Sequence, residues 1–127
     1  MKIGLNEGCN RFCAGQSVLD DLALCEKYGF DYIDVQSECL DRDLAAGKYT
    51  LEDLASFFKT HHLKMLSYNA LIFFNMKGTR AEKDAVLAQL DEIVRRCRML
   101  GCGMIVVVPS MDLKTPATRG EIRTDAV

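Results

Sequence analysis

The sequence predicts an α/β fold in which parallel strands alternate with helices and form part of a closed barrel. Strand-like and helix-like segments alternate along the chain, and the helices are long enough to return each strand to the same edge of the sheet. The predicted strands also carry polar side chains on one face toward their carboxyl ends. Such one-sided polarity is expected when helices cover only the other face, as they do in a barrel.

The composition is that of an ordinary globular protein. The chain has 127 residues, of which 49% are hydrophobic and 27% are charged, and its formal net charge is −2. This charge provides no basic surface for nucleic acid or for an anionic membrane. The longest apolar runs are too short to span a bilayer, and the N-terminus lacks the apolar core of a signal peptide. We therefore expect a cytoplasmic protein that binds neither nucleic acid nor membranes.

The six cysteines are expected to be reduced thiols. They form no CxxC pair, and Cys25 and Cys97 fall within helix patterns, where a free cysteine packs as a small apolar residue. Without an export signal we expect a reducing compartment, in which disulfides are rare. A metal site formed by Cys9 and Cys13 is the alternative, although their CxxxC spacing supports it only weakly.

Two strand–helix units are predicted in the first half of the chain. The strands are KIGLN, at residues 2–6, and YIDVQ, at residues 32–36. Ser17 caps the first helix and Gly29 ends it. Thr50 opens the next helix. Its apolar stripe consists of Leu51, Leu54, Ala55 and Phe58.

Two further strands and one longer helix are predicted in the second half. The strands are KMLSYN, at residues 64–69, and MIVVV, at residues 104–108. Between them, Thr79 and Glu82 form a capping box for a helix that ends at Gly101. The inward face of this helix consists of Val86, Leu90, Ile93, Val94 and Cys97.

The final residues repeat the pattern that opens a helix. Thr118 is followed three residues later by Glu121, and Ile122 and Ala126 lie four residues apart. We expect a fourth helix to begin here. Residues 1–127 would then form a partial barrel that runs from the first strand to the start of this helix, with no internal domain boundary. A frayed tail is the alternative.

Polar side chains mark the carboxyl ends of the first three predicted strands. Asn6, Gln36 and Asn69 end their strands on the face that we expect to line the barrel, where barrel enzymes bind their substrates. Strict alternation along the third strand places Met65 and Ser67 on the same face as Asn69. A flat sheet with one solvated face is the alternative to a barrel.

The third strand is followed by an unusually apolar connection, ALIFF at residues 70–74. We expect it to form a wall or lid of a pocket, with Phe73 and Phe74 packed on the carbon face of a ligand. The alternative is that both rings only fill the space between barrel and helix. Glu7 and Pro109 directly follow the first and fourth strands, and we expect them at the same mouth.

Four segments carry a resemblance to a known family. They are NEGCN, LALCEKYGFDYIDVQ, LEDLASFFKTHHLKMLSYNALIFFN and CRMLGCGMIVVVPS, and they cover nearly the whole chain. Together they resemble the inosose isomerases of myo-inositol catabolism, which belong to the xylose-isomerase-like sugar isomerase and epimerase barrels. The resemblance extends only to the N-terminal half, about four βα units, of the family's (β/α)8 TIM barrel.

The resemblance implies metal-dependent isomerisation of an inosose-type keto-sugar through an enediolate. In that family a divalent metal acts as a Lewis acid, two carboxylates move the proton, and the ligands (two Glu, one Asp and one His) lie on the later strands. No position of this chain matches a metal ligand or a catalytic group, so we expect the chain alone to hold no metal and to be inactive. It would supply half of the substrate pocket. The candidate substrate-binding residues are Asn6, Glu7, Gln36, Asn69, Phe73 and Pro109.

The two histidines, His61 and His62, end the second predicted helix at the bottom of the barrel rather than at its mouth. A histidine near a helix C-terminus interacts favourably with the helix dipole. We therefore assign neither of them to a metal.

Two other functions remain compatible with the pattern. A complete small α/β module, such as a receiver domain or a flavodoxin-like binder, fits the length. However, Asn69 stands where a receiver carries an aspartate, and no GxGxxG follows the first strand. The other function is that of a non-catalytic half-barrel that self-associates through its exposed sheet edges.

Overall fold

The described residues form a four-stranded parallel sheet with four α-helices. The computed structural model describes residues 1–9, 15–72 and 79–108. The strands are β1 (Gly4–Asn6), β2 (Tyr32–Gln36), β3 (Lys64–Ile72) and β4 (Ile105–Val108), and the helices are α1 (Val18–Tyr28), α2 (Ser37–Ala45), α3 (Leu51–Thr60) and α4 (Arg80–Leu100). The strands lie in the order β1-β2-β3-β4, and every pair is parallel. The predicted α/β class is confirmed.

Capping residues begin α1, α3 and α4 at the predicted positions. The side chains of Ser17, Thr50 and Thr79 each accept a hydrogen bond from the backbone N–H three residues on, and the acidic residue at that position accepts from the cap's own N–H. Gly29 and Gly101 follow α1 and α4 in the left-handed region, with φ of 69° and 70°. These local signals position each helix at the start of the crossover between two strands.

One hydrophobic core lies between the sheet and all four helices. Ile33 and Val35 of β2 are 0% and 1% exposed. Each helix contributes side chains to the same cluster, among them Leu22, Leu40, Leu54 and Ile93. Asp34, between the two buried β2 residues, bonds instead to polar groups of β3. Helices therefore cover one face of the sheet, as the barrel prediction requires.

A bulge in β3 corrects one predicted face. Ile33 pairs with Met65, but the next β2 residue, Asp34, pairs with Ser67, so Leu66 is an extra residue in β3. The bulge interrupts the strict alternation that was assumed from the sequence. Met65 consequently lies in the core, at 4% exposure, rather than on the same face as Ser67, and Leu66 is 43% exposed.

The apolar stretch after Asn69 is largely strand rather than connection. β3 continues to Ile72, so the prediction that it ends at Asn69 is wrong by three residues. Leu71 is fully buried in the core and pairs with Val107 of β4. Hydrophobic burial against the helices therefore explains the apolar character of Leu71.

Several predictions fall outside the described residues. They concern Cys13, the two rings at Phe73 and Phe74, Pro109 and the helix expected from Thr118. Within the ranges that the structure covers, no helix combines the length and apolarity needed to cross a membrane.

Helix α2 was not predicted, and one buried acid explains how it is held. Asp43 is 0% exposed and takes an inward position that a hydrophobic side chain would ordinarily occupy. Its carboxylate accepts hydrogen bonds from Val18 N at 2.8 Å, Lys48 Nζ at 2.8 Å and Tyr49 Oη at 3.3 Å. Although burial opposes its ionisation, the bonds from Lys48, from Val18 N and from Arg42 lower the pKa of Asp43. Asp43 thus ties α2 to the N-terminus of α1.

We expect Asp43→Ala to lower the free energy of unfolding by roughly 2–3 kcal/mol, because it leaves the buried Val18 N–H and Tyr49 hydroxyl without their acceptor. Urea denaturation measures this change. Asp91→Ala, at an exposed position of α4, is the matched control and should change stability by no more than about 0.5 kcal/mol. Equal losses in the two variants would contradict the anchoring role of Asp43.

Candidate functional site

A cleft opens at the carboxyl edge of the sheet, between α2 and α4. Its volume is about 360 Å³. In barrels built from parallel strands, this edge carries the ligand site. The cleft is lined by Gln36, Ser37, Glu38, Asp41, Asn69, Ala70, Ile72, Gln89 and Val108. Of the sequence-predicted site residues, Gln36 and Asn69 therefore meet in one cleft.

A polar network on the uncovered face of the sheet orients Asn69. Asp34 Oδ1 accepts a hydrogen bond from Ser67 Oγ at 2.5 Å, and Asp34 Oδ2 accepts from Asn69 Nδ2 at 3.0 Å. Because Nδ2 points at a carboxylate, the carbonyl oxygen of the Asn69 amide turns away from Asp34. An amide held in this way presents an acceptor in a defined direction.

Gln36 and Asn6 meet at the ends of β2 and β1. Gln36 is 9% exposed, and its Nε2 donates to Asn6 Oδ1 over 3.5 Å. The same Asn6 oxygen accepts from Gly8 N at 2.8 Å and closes the turn after β1. A Cβ at Gly8 would lie 2.7 Å from this oxygen, so a larger residue there would displace the Asn6 side chain. Asn6 thus supports Gln36 but is not itself among the residues that line the cleft.

Glu7 does not face the mouth as expected. It begins the single 3-10 turn that follows β1, and its side chain is 0% exposed. Glu7 Oε2 accepts a hydrogen bond from Gln36 N at 2.6 Å, and within the described parts of the chain Oε1 has no hydrogen-bond partner. The carboxyl is therefore closed off from solvent and holds the end of β2.

Burial raises the pKa of Glu7 from its ordinary 4.5 to about 7. The bond from Gln36 N lowers it, as does the nearby Cys39 thiol, whereas the neighbouring carboxylates of Asp21 and Asp43 raise it further. A buried carboxyl of this kind changes charge near neutral pH.

The histidines are held at the opposite end of the sheet. His62 Nε2 lies 2.9 Å from Asp31 Oδ1, just before β2, and the His61 ring stacks on Phe57 at 4.0 Å between centroids. Across residues 1–9, 15–72 and 79–108, no group of three or more His, Cys, Asp or Glu side chains could hold a metal ion. The described residues therefore do not fit the divalent metal that the resemblance implies.

Residues 22–126 match the family model described as xylose isomerase-like TIM barrel. The chain belongs to this family. The inosose isomerase of Bacillus velezensis is 36% identical over 110 residues, which cover 86% of this chain and 38% of the relative. That of Bacillus subtilis is 38% identical over 101 residues, covering 70% of this chain and 31% of the relative.

Solved structures agree with this membership. A crystal structure of the IolI protein with a bound zinc atom superposes with a TM-score of 0.87 at 31% identity, covering 99% of this chain and 44% of that one. A xylose isomerase domain protein from Salmonella typhimurium, at 14% identity and a TM-score of 0.73, shares the fold. The chain thus spans well under half the length of these xylose isomerase-like relatives, and its strands correspond to the N-terminal part of the barrel.

Sequence reasoning missed several residues of this xylose isomerase-like half-barrel. Asp34 lies on the same face of β2 as Gln36, so the alternation already indicated that it faces the lumen. Ser67 of β3 lies on the same face of the sheet. This position was predicted from the sequence, but Ser67 was assigned no role. Glu38 and Asp41 reach the cleft from α2, and their contribution could not be found while that helix was unrecognised.

A larger pocket, of about 560 Å³, lies between α3 and α4 at the opposite edge of the sheet. Lys64, at the start of β3, and Gly101, at the end of α4, mark this edge. In barrel enzymes that end of the strands serves stability rather than chemistry. We therefore assign the candidate site to the smaller cleft.

We expect Glu7→Gln to flatten the pH dependence of stability between about pH 5 and about pH 8.5. Wild-type Glu7 ionises near pH 4.5 when unfolded and near 7 when folded, so stability that is fully present below the first value is lost as pH rises through the second. Urea denaturation should give a wild-type loss about 2–3 kcal/mol larger than that of Glu7→Gln over this range. Glu38→Gln, at an exposed residue of α2, is the matched control. The same pH dependence in Glu7→Gln and wild type would contradict this assignment.

Proposed function

We propose that the chain is part of a sugar isomerase that acts on an inosose-type keto-sugar, and that it supplies the half of the substrate pocket that binds hydroxyl groups. The observation that carries the proposal is that two amide side chains, Gln36 at the end of β2 and Asn69 near the end of β3, line one cleft at the carboxyl edge of a xylose isomerase-like half-barrel. The relatives named inosose isomerase support the reaction class.

The geometry suits recognition of a polyhydroxylated ring. The Asn69 carbonyl oxygen, turned away from Asp34, can accept from a sugar hydroxyl, and the Gln36 amide offers both a donor and an acceptor. Ile72 and Val108 supply apolar wall that can pack against the carbons of the ring and exclude water. Of the other proposed substrate contacts, Asn6 bonds to Gln36 from outside the cleft lining, and Phe73 and Pro109 lie outside the described residues.

The isomerisation step needs groups other than those described. The divalent metal and the two proton-transferring carboxylates that the resemblance implies find no matching set in the described half-barrel. Glu7 is a buried acid that bonds to Gln36 of the cleft, but it does so through the Gln36 backbone N–H and is fully shielded from solvent. We therefore propose that this chain binds and orients the substrate, and that the remainder of a complete barrel carries out proton transfer.

The two open edges of the sheet are where further strands could add and complete the pocket. Among the four described strands, β1 and β4 each pair on one side only, and an open parallel edge can accept further strands. We propose that additional βα units cover these edges in the active protein. Self-association of two half-barrels stays a prediction for the same edges.

A chimera tests the proposal. The 127-residue chain would replace the matching N-terminal segment of the Bacillus velezensis inosose isomerase, and inosose turnover would be assayed with added divalent metal. We expect turnover, and we expect Gln36→Leu and Asn69→Leu each to lower kcat/KM by about 10–100-fold, because each removes a hydrogen bond to a substrate hydroxyl.

Two controls make the result decisive. Asp91→Leu, exposed on α4, should leave kcat/KM of the chimera unchanged, and the chain alone should show no turnover. A folded chimera that is inactive, or one that tolerates both amide substitutions, would refute the proposed pocket. Robust turnover by the chain alone would refute the placement of the proton-transferring groups outside it.

A further inference from the structure

We propose that Glu7 is a positioning residue whose carboxyl holds the end of β2, and that gain or loss of its proton shifts the Gln36 side chain at the cleft. The inference rests on the proposed function only in treating Gln36 as a substrate contact. The link between the two residues stands on contacts within this chain.

First, a direct hydrogen bond links Glu7 to Gln36. Glu7 Oε2 accepts from the backbone N–H of Gln36 at 2.6 Å, across the junction between the ends of β1 and β2. Gln36 is the last residue of β2 and also the N-cap position of α2, where its side chain makes no capping bond. The Glu7 carboxyl therefore fixes a backbone position from which both α2 and the Gln36 side chain depart.

The second step is the environment of the other oxygen. Glu7 is 0% exposed, and no hydrogen bond reaches Oε1 from the described residues. An ionised carboxylate in this position lacks the second donor that would compensate its burial, whereas the protonated form needs much less compensation. The proton therefore resides on Oε1 in the form that the interior favours, and Oε2 accepts from Gln36 N in both forms.

The third step is the set of charges around Glu7. Helix α1 presents Asp21 and Cys25, and α2 presents Cys39, Arg42 and Asp43. Tyr49, between α2 and α3, faces the same interior.

Asp43 is compensated by Lys48 and Arg42, and Asp21 Oδ1 accepts from Gln16 Nε2 at 2.6 Å. The two carboxylates thus retain their own partners and oppose a third negative charge on Glu7.

The fourth step connects the carboxyl to the cleft. Gln36 Nε2 reaches Asn6 Oδ1, and Asn6 immediately precedes Glu7 in the chain. The Gln36 amide also lies against Gly8, where an added Cβ would come within 3.1 Å of Nε2. When Glu7 ionises, its bond to Gln36 N becomes charge-assisted and shorter. A change in this bond moves the Gln36 backbone relative to Asn6, which ends β1, and relative to Gly8, which lies in the turn after it.

Nuclear magnetic resonance of the whole chain tests the inference without any sugar. The backbone amide of Gln36 would be followed from about pH 5 to about pH 8, together with the nuclear Overhauser effect between the Gln36 side-chain amide and the Gly8 amide. We expect both signals to change with one midpoint near pH 7, the value at which Glu7 titrates.

Two variants separate a switch from a merely structural residue. Glu7→Gln keeps an oxygen that accepts from Gln36 N but cannot ionise, so both signals should become independent of pH while the fold is kept. Glu26→Gln, on the exposed side of α1, should retain the wild-type titration. The inference would be overturned if the chemical shift of the wild-type Gln36 amide did not change with pH. It would also be overturned if the Gln36–Gly8 nuclear Overhauser effect stayed constant across the titration, or if the titration persisted in Glu7→Gln.

A measurement on wild type covers the case in which Glu7→Gln fails to fold. With ¹³C-labelled glutamate, one carboxyl carbon should titrate with the midpoint of the Gln36 amide, and the absence of any such carbon would overturn the inference. An inactive chimera with an intact Gln36 titration would refute the sugar isomerase proposal alone.

Discussion

Burial of one face of the parallel sheet, and of one face only, is the constraint on which the rest of the structure depends. Ile33, Val35, Tyr68 and Leu71 are at most 1% exposed and pack in a single cluster with side chains from all four helices. The sheet's other face can therefore carry polar groups without a second helix layer to desolvate them. A barrel lumen is the arrangement in which such a face is useful, since it becomes the wall of a binding site.

Polar residues inside the covered layer have a different role from those on the uncovered face. Asp43 and Glu7 are both fully buried. Asp43 has several donors and remains charged, whereas Glu7 Oε1 has no partner among the described residues, and the pKa of Glu7 rises to about 7. The number of donors around each carboxyl thus decides which one anchors two helices and which one responds to pH.

The sequence allowed the fold to be predicted where local chemistry and hydrophobic period agree. Thr79, Glu82 and Gly101 delimit α4 because capping and left-handed backbone depend on neighbouring residues alone. The prediction failed at α2, where Asp43 takes a core position and hides the apolar stripe. It also failed at Met65, because a bulge is set by pairing with another strand and leaves little local trace.

The candidate site was predictable to a similar extent and for related reasons. Gln36 and Asn69 were found because strand alternation gives the face on which a side chain lies. The location of ligand sites at the carboxyl ends of parallel strands gives the edge, and both can be read from position along the chain. Glu7 was misplaced because the turn after β1, and not the strand, decides where its side chain points. The cleft residues of α2, Glu38 and Asp41, depend on a helix that the pattern concealed.

Nuclear Overhauser contacts to the two faces of β2 test the one-sided sheet most directly. We expect many contacts from helix side chains to the methyl groups of Ile33 and Val35, and none from any helix to the β-protons of Asp34. Asp34 should instead contact Ser67 and Asn69. Helix contacts to Asp34 comparable to those of Ile33 would mean that helices cover both faces, and would contradict the half-barrel and the site built on it.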